Sequence, residues 1–316
     1  MSLKRKNAVF GDVRIGVSFK DVIRWQRERS NYKKDLSFVV PQSENKVIEF
    51  IKTNREDFSI TFIGHATFLI QMGGLNILTD PVWANKMGIE KRLASPGIKI
   101  SDLPDIDIVL ISHNHYDHLN FASLFKLKGD PIHLVPEGLG KLFKRKGLHK
   151  TTEFLWWNNK VVRDDLEFSF VPAQHWSRRT IWDTNKSLWG GWVIKKSESS
   201  IANTNAPTVY FVGDSGYFDG FKEIGKNFDI NYMLAPIGCY EPEWFRYYQH
   251  MTPEEAIKAY CDCASDTLIP MHYDAYRLGV DTPKEALDRL QAGWCDKALE
   301  TSKMKILKLG ETLQCI

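Results

Sequence analysis

Long apolar runs are absent from this sequence. No stretch reaches the roughly 18 consecutive apolar residues that a membrane-spanning helix needs, and no signal peptide is visible. Cysteine is scarce and odd in number, with 5 residues in 316, and Cys261 and Cys263 are too close for an unstrained disulfide framework. We therefore expect a cytoplasmic protein of a reducing compartment, with any membrane contact peripheral, although residues 1–3 leave the natural amino terminus open.

An excess of charge of one sign is also lacking. The chain has 42 Lys and Arg against 39 Asp and Glu, a formal net charge of +3, and no basic arm. Proteins that follow a phosphate backbone concentrate positive charge, so nucleic acid is not an expected partner. Residues 1–55 lack strand signals and are assigned to an amino-terminal extension, and residues 56–316 form the main domain. The sequence leaves the oligomeric state open.

One short segment concentrates side chains that bind metals. It reads Ser112-His113-Asn114-His115-Tyr116-Asp117-His118 and follows the strand-like run 107–111. Successive side chains of an extended segment alternate in direction, so His113 and His115 project the same way, and Asp117 and His118 lie in the loop beyond. One pair can hold one ion and the other pair a second. Imidazole and carboxylate suit zinc best, and iron or manganese are compatible, so we predict two zinc ions.

A binuclear site needs further ligands on each ion. Three candidates stand at the carboxyl ends of apolar segments, where a sheet fixes a side chain, and these are His175, Asp214 and His272. The predicted ligands of the first ion are His113, His115 and His175; those of the second are Asp117, His118 and His272, and Asp214 bridges the two.

Two other residues near the start of the domain follow strand-like segments. Asp80 precedes Pro81 and is expected to accept a hydrogen bond that orients a ligand imidazole, or else only to form a turn. His65, in Gly64-His-Ala-Thr67, has either the same orienting role or is a hydrogen-bonded residue of the core.

Strand and helix signals alternate from residue 59 onward. Gly73 and Gly74 separate the alternating runs 67–71 and 76–79 and predict a β-hairpin. Thr252 and Thr282, each followed by Pro and then by Glu at the third position, predict capped helix starts. The other predicted strands are 60–63, 132–135, 152–155, 161–172, 188–194, 209–212, 232–235, 267–271 and 305–308, with helices at 136–146 and 220–225 and a polar loop at 195–206. Two sheets with helices outside them give an α/β protein, an αβ/βα sandwich.

The order of the ligands resembles that of the metallo-β-lactamase superfamily of binuclear hydrolases. Further segments resemble N-acyl-phosphatidylethanolamine-hydrolysing phospholipase D and its bacterial relatives. These segments are 64–67 with 78–81, 111–119, 174–179 with 185–190, and 235–256. The resemblance spans about residues 59–279 and implies a four-layer αβ/βα fold and a phosphodiesterase that acts on a lipid with a modified ethanolamine headgroup.

The resemblance also implies positions that contact the substrate. It places Gln249 and His250 beside the metals, with His250 a candidate proton donor to the leaving group or a structural residue. Trp244 and Tyr248 border this segment, where amphipathic rings can line an acyl-chain groove or sit at a bilayer interface. Arg178, Arg179 and Gln249 are alternative candidates to neutralise charge on the substrate. The chain departs from the lipid enzymes at Phe121, where they have a Tyr.

These residues predict a reaction. Two cations at this spacing would acidify a bridging water, and the resulting hydroxide would attack phosphorus while Asp117 and Asp214 stay ionised. We therefore expect a phosphodiesterase of the phospholipase D type. The alternatives are a metal-dependent lactonase or esterase and a non-catalytic module that holds metal. An amphipathic helix with a basic face, predicted at 17–29, either lies on a membrane or packs on its own domain.

Overall fold

A computed structural model of the protein describes residues 20, 23–25, 27–28, 32–162, 166–197 and 206–314. The predicted polar loop at 195–206 and the predicted helix at 17–29 therefore lie partly outside the described residues. Those residues of 17–29 that are described are helical.

Two sheets form the framework. The first contains, in spatial order, β15 (Thr312–Gln314), β1 (Ser59–Gly64), β2 (Thr67–Met72), β3 (Leu75–Thr79), β6 (Ile106–Leu110), β7 (Gly129–Pro136) and β8 (Thr151–Phe154). The second contains β14 (Thr267–Met271), β13 (Tyr232–Pro236), β12 (Val209–Phe211), β11 (Gly190–Lys196), β10 (Leu166–Pro172) and β9 (Asn159–Val162). A separate small hairpin joins β4 (Lys86–Met87) to β5 (Glu90–Lys91).

Strand direction brings many carboxyl ends to one edge. In the first sheet β3, β6, β7 and β8 are parallel, and β1 runs in the same direction because it is antiparallel to β2, which is antiparallel to β3. In the second sheet β12, β13 and β14 are parallel, and β10 shares their direction through β11. Residues that follow these strands are therefore presented together at the edge of each sheet.

The core lies between the two sheets. Alternating side chains of the first sheet, such as Phe62, pack with Phe168 and Trp192 of the second sheet, and all three are buried. The rings of Phe154 and Trp192 join the sheets directly, with their centroids 4.9 Å apart. Burial of each such side chain stabilises the fold by about 1.5–3 kcal/mol.

Helices cover both outer faces. The first sheet carries α1 (Ile48–Thr53), α2 (Phe121–Leu124) and α3 (Gly140–Arg145), where Phe143 packs on the outward side chains of the sheet. The second sheet carries α4 (Gly220–Asn227), α6 (Pro253–Asp262) and α7 (Pro283–Asp296), and α5 (Glu243–Arg246) lies in the connection after β13. Helix, sheet, sheet and helix make the four-layer αβ/βα sandwich, which confirms the predicted fold.

Local signals in the sequence account for several elements. Gly73 and Gly74 have φ of +56° and +74° and form the turn of the β2–β3 hairpin, as predicted. Thr252 and Thr282 both form capping boxes, in which each hydroxyl accepts from the N–H of the Glu three residues on. The predicted final strand at 305–308 is wrong. The preceding residue, Met304, makes a single bridge to Leu268 of β14, residues 305–308 belong to no strand, and the last strand is β15, which pairs with β1.

Candidate metal centre

The predicted ligands meet at the shared edge of the two sheets. The segment from His113 to His118 follows β6, and Asp80 and His65 follow β3 and β1 of the same sheet. His175, Asp214 and His272 follow β10, β12 and β14 of the second sheet. All seven predicted ligands therefore lie in segments that follow strands, and they approach each other from both sheets.

Three imidazoles form the first group. His115 Nδ1 lies 2.7 Å from His113 Nε2 and 3.2 Å from His175 Nε2. The three ring nitrogens converge on one point, an arrangement that three ligands of one ion require.

The second group surrounds the Asp117 carboxylate. Asp117 Oδ2 lies 3.4 Å from both His118 Nε2 and His272 Nε2, which are 3.2 Å from each other. His65 Nε2 is 3.0 Å from the same oxygen, so His65 contacts the Asp117 carboxylate directly.

Asp214 lies between the two groups. Its Oδ2 is 3.1 Å from His118 Nε2 and 3.9 Å from His175 Nε2, and its Oδ1 is 3.2 Å from His272 Nε2. A carboxylate that reaches ligands of both groups has the geometry of a bridging ligand.

The donor set fits divalent cations. Burial lowers the pKa of His115 to about 3 and that of His175 to about 4, so both are neutral near pH 7 and offer lone pairs. Burial alone would raise the pKa of Asp214, but His118 and His272 outweigh it and hold that pKa well below its usual range. Asp214 Oδ1 is also buried and lies 3.2 Å from His272 Nε2, but it accepts no well-aligned hydrogen bond from the described residues, and a cation would satisfy it.

Hydrogen bonds from outside the two groups orient the imidazoles. Asp80 Oδ2 lies 2.7 Å from His118 Nδ1 and accepts the Ser112 hydroxyl at 2.6 Å, and Asp80 Oδ1 accepts the Ser112 N–H at 2.8 Å. The backbone carbonyl of Gln249 lies 2.9 Å from His175 Nδ1. In both imidazoles Nδ1 is engaged and Nε2 is left to face the site.

The backbone at the site adopts conformations that most residues avoid. His65, Asp80 and His272 have φ of 60°, 31° and 65°, in the left-handed region. Gly213, which precedes Asp214, has φ of 67°, and a Cβ there would lie 2.7 Å from the Ser112 Cβ. Close approach of the two sheets at this point therefore depends on glycine.

A cavity of about 840 Å³ opens above the two groups. Its wall includes His115, Asp117, Asp214 and His250 on the metal side. Arg178, Arg179 and Arg246 line it with aromatic side chains that include Trp25, Tyr116 and Trp176. His250 Nδ1 is 3.8 Å from Asp214 Oδ2, and burial lowers its pKa well below the usual value.

Several predicted substrate residues do not line this cavity. Trp244 donates from Nε1 to Glu28 at 2.9 Å, Gln249 is buried behind His175, and Tyr248 is exposed beside Tyr247. Arg178 and His250 do line it.

Several residues of the cavity wall were missed from the sequence, and Trp25 and Arg246 are two of them. Trp25 stacks on Phe245 with the ring centroids 5.6 Å apart, so the described part of the amino-terminal helix packs on α5. Arg246 donates to the carbonyl of Leu278 at 2.8 Å. The sequence did not indicate that these two residues reach the cavity, because basic and aromatic residues show the same pattern in a helix that only covers the surface.

Comparison with known proteins identifies the family. The model of the beta-lactamase superfamily domain matches residues 75–273. An N-acyl-phosphatidylethanolamine-hydrolyzing phospholipase D of Caenorhabditis elegans is 33% identical over 239 residues, which cover 69% of this chain and 64% of the worm protein. A metal-dependent hydrolase of Thermodesulfovibrio yellowstonii is 28% identical over 265 residues, 81% of this chain and 91% of that protein.

A solved structure has the same fold. A metallo hydrolase from Ignicoccus hospitalis superimposes with a TM-score of 0.63 at 22% identity and covers 83% of this chain and 99% of that one. The chain belongs to the metallo-β-lactamase superfamily of metal-dependent hydrolases, as the order of its ligands predicted. It spans less than two thirds of the length of the worm phospholipase D.

Proposed function

We propose that the protein is a metal-dependent phosphodiesterase of the phospholipase D type, with two zinc ions, that hydrolyses N-acyl-phosphatidylethanolamine or a related phospholipid. One observation carries this proposal. Two adjacent groups of His and Asp side chains, with Asp214 within 3.9 Å of histidines from both, lie at the floor of a cavity whose wall combines arginines with aromatic rings. Such a wall suits a substrate that joins an anionic phosphodiester to apolar chains.

In the proposed site, His113, His115 and His175 would hold one ion. Asp117, His118 and His272 would hold the other, with Asp214 shared between them. Bound divalent cations supply Lewis acidity and lower the pKa of water. Asp80 fixes the His118 ring and His65 steadies Asp117, so that the ligand atoms are positioned before substrate arrives.

The arginines have different roles. Arg178 and Arg246 face the cavity and are placed to neutralise the phosphodiester. Arg179 instead donates to the backbone carbonyls of Asn114 and Leu119, at 2.9 and 2.8 Å, and holds the loop that carries the ligands.

His250 is the proposed donor to the leaving oxygen. Its Nδ1 is buried at the cavity wall and makes no hydrogen bond to the described residues. Because its pKa is low, His250 is neutral before substrate binds. A neutral imidazole can act as an acid only after it gains a proton, so we expect His250 to take up the proton that the attacking water releases and to pass it to the departing oxygen.

Hydrolysis by the zinc-loaded protein tests this function. Three substrates are compared: an N-acylated phosphatidylethanolamine in mixed micelles, bis(p-nitrophenyl) phosphate and a simple lactone. We expect the lipid to be turned over well above the other two, with phosphatidic acid and the N-acylethanolamine as products.

The Asp214→Asn variant is the blank for this assay and should lose bound metal and turnover together. A variant that stays metal-loaded and fully active would show that Asp214 is not a ligand. Turnover of the lactone with inert phosphodiesters would favour the lactonase alternative and reject the lipid substrate.

A further inference from the structure

Three large apolar side chains project into solvent at the mouth of the cavity. Ile89 is 89% exposed, and Ile181 and Trp182 are each 76% exposed. We call these three residues the mouth patch. Exposed apolar groups scattered singly are ordinary, but a cluster beside a binding cavity marks a surface that contacts a partner.

Two separate segments build the mouth patch. Ile89 lines the cavity and stands at the tip of the β4–β5 hairpin, where Gly88 makes the turn with φ of 59°. Ile181 and Trp182 follow Arg179, another residue of the cavity wall. Asp183 Oδ1 accepts the N–H groups of Arg179 and Thr180, at 2.9 and 2.7 Å, and this turn holds the two side chains outward.

Positive charge surrounds the mouth patch. Lys86 and Lys91 stand at the base of the hairpin, and Arg178 precedes the turn, and all three are exposed. Among the ion pairs of the described residues, none involves these three side chains. Two acids share this surface: Glu90, which follows Ile89 in the hairpin, and Asp183, which accepts from backbone N–H groups.

We propose that the mouth patch docks the protein on an anionic lipid bilayer. Ile89, Ile181 and Trp182 enter the interfacial region, where aliphatic and indole side chains are favoured, and the cations lie against the headgroups. This docking proposal rests on the proposed phospholipid substrate, because docking in this orientation turns the cavity toward the lipid. Among the described residues, no helix has the length and apolarity of a membrane span, so the contact is peripheral.

Sedimentation with vesicles tests the docking without any turnover. The zinc-loaded protein is mixed with vesicles of phosphatidylcholine alone or with added phosphatidylglycerol, neither of which is N-acylated. We expect binding that is stronger with phosphatidylglycerol and weakens with salt. Trp182→Ala should lower the partition coefficient by about tenfold, since it removes most of one interfacial anchor. Neutralising Lys86 and Lys91 to Gln should lower it on anionic vesicles by roughly fivefold for each charge removed.

Val161→Ser is the matched control, because Val161 is also exposed but lies on β9, opposite Glu167 and away from the carboxyl end of β10. It should bind vesicles like the unaltered protein. Trp182→Ala should also hydrolyse soluble bis(p-nitrophenyl) phosphate at the unaltered rate, because Trp182 does not line the cavity.

Three outcomes would overturn the docking proposal. One is no sedimentation with either vesicle. A second is an equal loss of binding in Val161→Ser and Trp182→Ala. The third is a change in oligomeric state on Trp182→Ala without lipid, which would assign the patch to a second copy of the chain. Vesicle binding with no hydrolysis of any substrate would instead reject the proposed function and leave the docking intact.

Discussion

Asp80 offers the sharpest test of how this site is positioned. Replacement by Asn keeps the shape of the side chain but removes one acceptor oxygen. The backbone N–H of Ser112 is a fixed donor to Oδ1, at 2.8 Å, so the amide oxygen of Asn must take that position. The amide NH₂ then faces His118 Nδ1, where Asp80 Oδ2 now lies at 2.7 Å. To avoid two donors in contact, His118 must carry its proton on Nε2, the atom that faces Asp117 and Asp214.

The expected magnitude follows from this change of tautomer. A protonated Nε2 has no lone pair for a cation, and the tautomer that binds metal must be restored against an unfavourable contact. Loss of such an orienting partner typically costs 10–100-fold in metal affinity, about 1.4–2.7 kcal/mol. The loss should act directly on the ion held by His118. It should reach the ion held by His113 only indirectly, through the Ser112 hydroxyl that donates to Asp80 and lies 2.9 Å from His113 Nδ1.

Titration of zinc against a chelator of known affinity measures both sites. Asp80→Asn should show at least one weakened equivalent, where the unaltered protein shows two tight ones. Asp107→Asn is a matched control, because Asp107 is a buried carboxylate of the same sheet that pairs with Arg55 and accepts the Asn76 N–H at 2.9 Å. Two tight equivalents in a folded Asp80→Asn protein would refute the reasoning.

Three further changes have expected outcomes of their own. Arg179→Gln should lower the free energy of unfolding in urea by about 2–4 kcal/mol, since it removes charged hydrogen bonds to the ligand loop, and an unchanged midpoint would contradict this. Gly213→Ala should lower the free energy of unfolding by about 2–4 kcal/mol in the same measurement. Gly147 also has positive φ but has open space around it, so Gly147→Ala should lower it by only about 1–2 kcal/mol. Equal losses in the two variants would argue against the close approach of the sheets at Gly213. Metal-free protein should lose stability as the pH falls from about 6.5 toward 4, because His115 and His175, with folded pKa values of about 3 and 4, take up protons only when unfolded. Urea unfolding across this pH range measures the slope, and a stability that rises on acidification would contradict the assignment.

The sequence predicts the fold where local signals are strong. Glycine pairs, Thr-Pro capping boxes and alternating apolar runs specify short-range structure, so the hairpin at Gly73 and the helix starts at Thr252 and Thr282 were expected and found. The last strand was misplaced because residues 305–308 have the right pattern but lack a strand to pair with over their length. Pairing of β15 with β1 joins distant parts of the chain, which no local pattern records.

The candidate site, like the fold, could be predicted only in part. The convergence of His113, His115 and His175 followed from strand ends and alternation, because the chemistry restricts which residues can meet at a cation. The residues of the cavity wall could not be predicted from the sequence in this way. Trp25 and Arg246 reach it only because the amino-terminal helix packs on α5, and packing between remote helices depends on shape rather than on spacing in sequence.

The order of the ligands along the chain has a consequence for synthesis. All three imidazoles of the first group are present once the ribosome has passed His175, whereas the second group waits for His272, beyond β14. On the proposed ligand set, a nascent chain can capture its first cation while much of the second sheet is still untranslated. That cation would tie the loop after β6 to the end of β10 and give the incoming strands a fixed edge. Metal supply would then influence the yield of folded protein, and not only the activity of the finished one.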